Sequence, residues 1–193
     1  KGLAGSRLFR YILLLPLVLP IASVVMVVQV FFADAGILNH WLVSIGVPIA
    51  QWLEGPNAFY VLLGLYLWKS FGYSVVLLLS GLNVIPEEYY QTAAIEGAGS
   101  IQKLVSITLP MMAPHLFLTV VMGIVNAFKS YREAFLIGGK HPHDSIYMVQ
   151  HFLNNNFENL NYQKLSVASI MLFLVLLVIL CGLYIFQNRY REE

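Results

Sequence analysis

Leu165–Asn188 reads LSVASIMLFLVLLVILCGLYIFQN, with no charged side chain along it. A helix rises about 1.5 Å per residue, so roughly 20 such residues cross a hydrocarbon core of about 30 Å. Backbone polar groups find no water there, and a helix satisfies them within the segment. Barrel strands would instead show segments of about ten residues with alternating polarity, and none is seen. The stretch sets the fold class: all-α and membrane-spanning.

Working outward, three further stretches have this character. Tyr11–Ala33 carries no charge, Ala58–Leu82 carries only Lys69, and Leu104–Phe128 carries none. The expected crossings are 9–33, 58–82, 110–135 and 165–187, in a single membrane-spanning domain over 1–193. The first stretch follows Lys1, Arg7 and Arg10 and ends near Ala33-Asp34-Ala35, the outline of a signal peptide. Its length and its Pro16 and Pro20 argue for a crossing instead.

The composition agrees. The chain has 193 residues, 59% apolar and 11% charged, against about 45–50% and about 25% in soluble domains. A soluble enzyme would lack a charged skin. The net charge of +1 leaves no basic footprint for nucleic acid, and one cysteine, Cys181, excludes an internal disulfide or a CxxC pair.

Lys and Arg placement predicts orientation. Four crossings put Lys1, Arg7, Arg10, Lys103, Arg189 and Arg191 on one side and leave Lys140 and Lys164 for the other loops. Both termini and the middle loop are therefore expected in the cytoplasm, with loops 34–57 and 136–163 outside. Asn39–Ile45 is expected as a short interfacial helix, with Trp41 and Trp52 as headgroup anchors.

The middle loop, 83–109, is the most informative. From Asn83 to Pro114 the chain reads NVIPEEYYQTAAIEGAGSIQKLVSITLPMMAP. Pro86 suits a first helical position, and Glu87 and Glu88 suit the first turn. Gly97 and Gly99 end this helix, and Ser100 is expected to cap a second short one bearing Ile101, Leu104, Val105 and Leu109. Pro110 and Pro114 lead into the next crossing. Small Ala93, Ala94 and Gly97 let a partner's backbone approach closely.

This segment resembles the cytoplasmic "EAA" loop of permease subunits of bacterial binding-protein-dependent ABC importers, closest to carbohydrate permeases of the maltose type. That loop reads I-P-x-E-L-Y-E-A-A-x-I-D-G-A, then I-T-L-P-L-L-x-P. Here Ile85-Pro86-Glu87-Glu88-Tyr89-Tyr90-Gln91-Thr92-Ala93-Ala94-Ile95-Glu96-Gly97-Ala98 is followed by Ile107-Thr108-Leu109-Pro110-Met111-Met112-Ala113-Pro114. Pro16 and Pro20, Gly36–Asn39, Trp68–Gly72, Ser80–Leu82 and the tail from Phe128 to Ser169 look like the same pattern. Gln91 replaces the family's Glu, Thr92 its first Ala and Glu96 its Asp.

The resemblance implies the last four crossings of a six-helix permease in the bacterial plasma membrane. It implies a second permease subunit, an extracytoplasmic solute-binding protein and a cytoplasmic ATPase dimer that holds ATP and Mg. No cofactor is implied on this chain itself. ATPase coupling falls to Glu88, Gln91, Ala93, Ala94, Glu96, Gly97, Leu109 and Pro110.

Polar residues at membrane depth are the pathway candidates. Lys at a bilayer centre costs about 2.5–3.5 kcal/mol on insertion scales, so Lys69 must face a wet cavity or a partner acid. The resemblance places Trp68, Lys69 and Ser70 beside a sugar path; a structural ion pair, or a kinked helix end that brings Lys69 to the interface, is the alternative. Lys129, Arg132 and Glu133 are expected to share a helical face, with Ser130 and Tyr131 interleaved. Gln29 and Asn126 add amides, which in membrane helices also bond neighbouring helices.

Other chemistry is not supported. His141-Pro142-His143-Asp144 with His151 fixes no complete ligand set, so no metal is expected. Gly139-Lys140 lacks the remainder of a P-loop, so ATP hydrolysis is assigned elsewhere, and no catalytic residue is expected here. The reading is the solute-path subunit of an ATP-driven importer. An ion-gradient transporter or channel using Lys69 or Glu133 as a charge relay is the alternative.

Overall fold

The computed structural model describes residues 15–189, with side chains to residue 185. The expected start of the first crossing at residue 9 lies outside the described residues, as do Lys1, Arg7, Arg10 and Arg191. Among the described residues the regular structure is helical, with no strand. The chain is a polytopic all-α membrane protein. Four segments are long and apolar enough to cross: Ile21–Ser44, Ala58–Val84, Ser100–Gly138 and Tyr162–Ile185.

The helices are α1 (Ile21–Phe32), α2 (Ile37–Ser44), α3 (Ala58–Val84), α4 (Glu87–Ile95), α5 (Ser100–Lys103), α6 (Leu109–Lys129), α7 (Tyr131–Gly138), α8 (Val149–Glu158) and α9 (Tyr162–Arg189). A π turn, Leu104–Thr108, joins α5 to α6, and a 3₁₀ turn, Asp144–Ile146, precedes α8. Residues 15–18 are also helical.

Prolines move several expected boundaries. Pro20 sits extended as the N-cap of α1 (φ −60°, ψ 132°), so the first apolar stretch is interrupted there. Pro86 is the N-cap of α4 rather than its first residue. Gly99, not Ser100, caps α5. The second loop helix is not a separate short one either: helical turns run on from Ser100 through the π turn into α6, with Pro114 inside it.

The contacts divide into two compact units. One runs up to Gly72 and resumes over Asn126–Ile170; the other takes Tyr73–Val125 and the chain from Met171. In the first, Ala58 and Leu62 of α3 pack with Ala134 of α7 and Ile146. Val24 and Val25 of α1 pack with Leu65 of α3. In the second, α3 and α6 approach closely: a Cβ on Gly81 would lie 2.7 Å from His115 Cγ.

Polar stretches of the first unit are knitted by side-chain amides. Asn39, 1% exposed, donates from Nδ2 to the carbonyls of Asp34 (3.1 Å) and Ala50 (3.0 Å) and more weakly to Ala33 (3.3 Å). Its Oδ1 accepts from Ala50 N–H and Trp52 Nε1. Asn155 Nδ2 donates to the Lys140 carbonyl, and Lys140 Nζ meets Glu158 at 2.6 Å.

Candidate functional site

Two places bring predicted residues together. The first is the loop between α3 and α6. No residue of α4 is buried, although Tyr89 and Ile95 are large and apolar and Ile95 is 88% exposed. Glu88, Gln91, Ala94 and Glu96 are exposed and Ala93 is half-buried. Glu87 and Glu88 lie in the first turn, where the helix dipole favours anions.

Gly97 ends the helix at φ +79°, a left-handed conformation that costs an L side chain strain. Gly97 N–H donates to Ala94 O and Ala98 N–H to Ala93 O, closing the last carbonyls. Beyond it Gly99, Ser100, Ile101, Gln102, Val105 and Ser106 line an open groove. Leu109 and Pro110 are exposed at the start of α6.

The second place is midway along α3. Lys69 Nζ lies 2.9 Å from Glu133 Oε1 of α7, their side chains 31% and 9% exposed. Glu133 Oε2 is buried without a hydrogen-bond partner. Lys129, Arg132 and Glu133 were expected on one face; Glu133 turns to Lys69, whereas Lys129 and Arg132 are exposed. Ser130 is buried at the junction of α6 and α7 and donates its N–H to Asn126 O.

The remaining pathway candidates make other contacts. Gln29 Nε2 donates to Leu136 O at 2.8 Å, a helix-to-helix bond. Trp68 lines an apolar groove between α1 and α3 of about 390 Å³, with Tyr60, Val24, Val28 and Leu65. Ser70 is half-buried on α3. Tyr131 is edge-on to His151, with centroids 4.7 Å apart.

His151 was weighed as part of an outer histidine cluster. It is fully buried among Tyr131, Phe135 and Tyr147. Its Nδ1 accepts the Met148 N–H at 3.1 Å, the reach-back usually made by Glu or Gln; the proton is thereby assigned to Nε2. Burial, more than the Met148 bond opposes, holds its pKa below the usual histidine value, and nearby His141 lowers it further. Among the described residues, no three His, Cys, Asp or Glu side chains gather as a metal site. His143 Nδ1 instead caps Ser145.

Comparison with known proteins places this arrangement. Residues 1–192 match the family described as "Binding-protein-dependent transport system inner membrane component". The chain belongs to this family. Among its relatives, this inner membrane component is 28% identical to the trehalose/maltose transport system permease protein MalF of Thermococcus litoralis, over 100% of this chain and 66% of that protein. It is 30% identical to the probable ABC transporter permease protein YesP of Bacillus subtilis, over 91% and 57%. It is 25% identical to the sn-glycerol-3-phosphate transport system permease protein UgpA of Yersinia enterocolitica, over 99% and 64%. The chain thus spans somewhat under two thirds of the length of these curated relatives.

The fold of this inner membrane component matches a crystal structure of a bacterial ABC transporter involved in the import of the acidic polysaccharide alginate, with TM-score 0.84, 21% identity, and coverage of 98% of this chain and 68% of the other. A second structure of the alginate transporter, in complex with an alginate pentasaccharide-bound periplasmic protein, matches with TM-score 0.83.

Proposed function

We propose that the chain is the solute-path subunit of an ATP-driven importer and docks a cytoplasmic ATPase through residues 85–110. One observation carries the reading. Between two membrane helices, α4 presents Ala93, Ala94 and Ile95 with none of its side chains buried, and then turns sharply at Gly97. Small and apolar residues left uncovered on an exposed helix fit a partner surface. Glu88, Gln91 and Glu96 give its polar rim, and Leu109 and Pro110 the start of the helix it moves. ATP and Mg stay on the partner, which closes on binding ATP; the loop carries the change to the crossings as a shift between two states.

Family membership supports a solute-binding protein outside and a second permease subunit alongside. A polyhydroxylated solute fits best. Relatives are named for trehalose/maltose, sn-glycerol-3-phosphate and sulfoquinovosyl glycerol, and the structural neighbour for alginate. Trp68 and Tyr60 offer aromatic faces and Lys69, Ser70, Asn126 and Lys129 offer hydrogen-bonding groups toward such a path. The loop faces the cytoplasm in this reading, as do both termini.

The test is co-purification of the ATPase subunit with the assembled transporter, together with ATP-driven uptake in vesicles. Gly97→Arg and Ala94→Trp are each expected to abolish both while the permease still reaches the membrane. Unchanged ATPase recovery and uptake in both variants would remove the loop as the docking element. Uptake driven by an ion gradient without ATP would point instead to Lys69 and Glu133 as a charge relay.

A further inference from the structure

The free rim of α4 leaves open how a push on it reaches the membrane helix. One end is joined through Ile85-Pro86. The other passes through Gly97 and Gly99, where a Cβ would meet nothing within 4 Å, so no packing at these two residues braces that end. Thr92 Oγ1 bonds back within its own helix, to Glu88 O. Among the described residues, the side-chain hydrogen bond that leaves α4 is that of Tyr90, whose hydroxyl lies 2.8 Å from Thr108 Oγ1.

Thr108 is placed for this by the wide turn. It is 7% exposed and closes the π turn, where Leu109 N–H bonds to Leu104 O, five residues back. Pro110 supplies the physical cause: in a regular helix its ring would clash with the carbonyl of residue 106, and widening the turn relieves this. The extra residue rotates Thr108 by about 100° relative to Ser100–Lys103. Thr108 Oγ1 also donates to Lys103 O at 3.3 Å. With that bond made, Tyr90 donates to Thr108, and Thr108 donates to the backbone of the turn.

We propose that Tyr90 and Thr108 are positioning residues, a hydroxyl strut that fixes α4 to the foot of α6 so that displacement of the loop moves the helix. This deepens the ATPase-docking reading and rests on it. A bulge held by a side-chain bond from the docking helix couples the two elements without touching either ATP or solute.

The experiment measures ATP-driven uptake, ATP turnover and ATPase co-purification for the whole transporter in vesicles. Tyr90→Phe and Thr108→Val are each expected to lower solute transported per ATP by about fivefold or more, the size of a modest coupling energy, with the ATPase still bound. The double variant should be no worse than the poorer single. Thr108→Ser, which keeps the hydroxyl, should return the ratio to within about twofold of the unmutated transporter. The strut is overturned if both singles keep the unmutated ratio, if their losses multiply in the double, or if Thr108→Ser fails to restore it. Loss of the ATPase from the variants alone would make the pair an assembly contact and also overturn it. An unmutated transporter that binds no ATPase would instead sink the docking reading itself.

Discussion

Lys69 shows how far a single side chain can be read. A charge within Ala58–Val84 demands a partner or water, and that much is visible from composition. The partner is 64 residues away; of Lys129, Arg132 and Glu133 only Glu133 is an acid that can answer Lys69, but nothing local shows that the two helices meet. With Glu133 buried, Lys69→Leu leaves an uncompensated carboxylate. It should destabilise the permease by on the order of 3 kcal/mol, with Glu133→Gln in the same chain recovering part of the loss. Detergent-solubilised thermal unfolding of the single and double variants checks this; additive losses would show that the two do not interact. Asn39 was legible only as the start of a short interfacial helix, because its partners at Ala50 and Trp52 lie across a loop. Asn39→Ala should cost about 1–3 kcal/mol by orphaning buried backbone groups, read as faster amide exchange over residues 33–52.

Helices were legible from apolar length, and their ends less so. The run of Val, Leu and Ile defines α3 and α9, but proline chemistry decides Pro20, Pro86 and the π turn before Pro110. Periodicity does not register one inserted residue in a uniformly apolar helix. Close approaches are equally hidden: Gly81 is a small residue in an apolar run until His115 is seen against it. Gly81→Ala forces a shift between α3 and α6. It should lower the unfolding midpoint, and Gly81→Leu should lower it further; an unchanged midpoint in both would place the contact elsewhere.

The cap of α8 gives a pH dependence. Burial disfavours the charged form of His151, so the folded cap stays neutral while an unfolded histidine takes a proton below about pH 6.5. The unfolded state then binds more protons, and stability falls as pH drops through that value. Amide protection of α8, corrected for intrinsic exchange, should be lower at about pH 5.5 than at about pH 7.5. His151→Phe should flatten the difference; an equal difference in that variant would remove His151 as its source.

For the molecule as a whole, membrane residence was legible and the assembly was not. Even the best-covered of the four apolar windows is only 22% buried within the chain, so lipid or other subunits must cover them. The protein should stay with membranes after alkaline carbonate extraction; release into the supernatant would contradict a multi-pass chain. Cys181 is uncovered by the chain but sits in an apolar helix, so a membrane-impermeant maleimide should label it only after detergent is added. Cysteines introduced at Ala98 and at Gly139 should label from opposite sides. Labelling of both from one side would undo the assigned orientation.

Among the four, the window in Tyr162–Ile185 has no part buried. The 24-residue span Tyr162–Ile185 alone extends about 36 Å against a hydrocarbon thickness of about 30 Å. The surplus must be absorbed by a lean of about 30° or by a turn standing among the headgroups. Acyl-chain length thereby becomes a variable acting on this helix: thinner bilayers increase its lean, and sterol-thickened ones bring it upright.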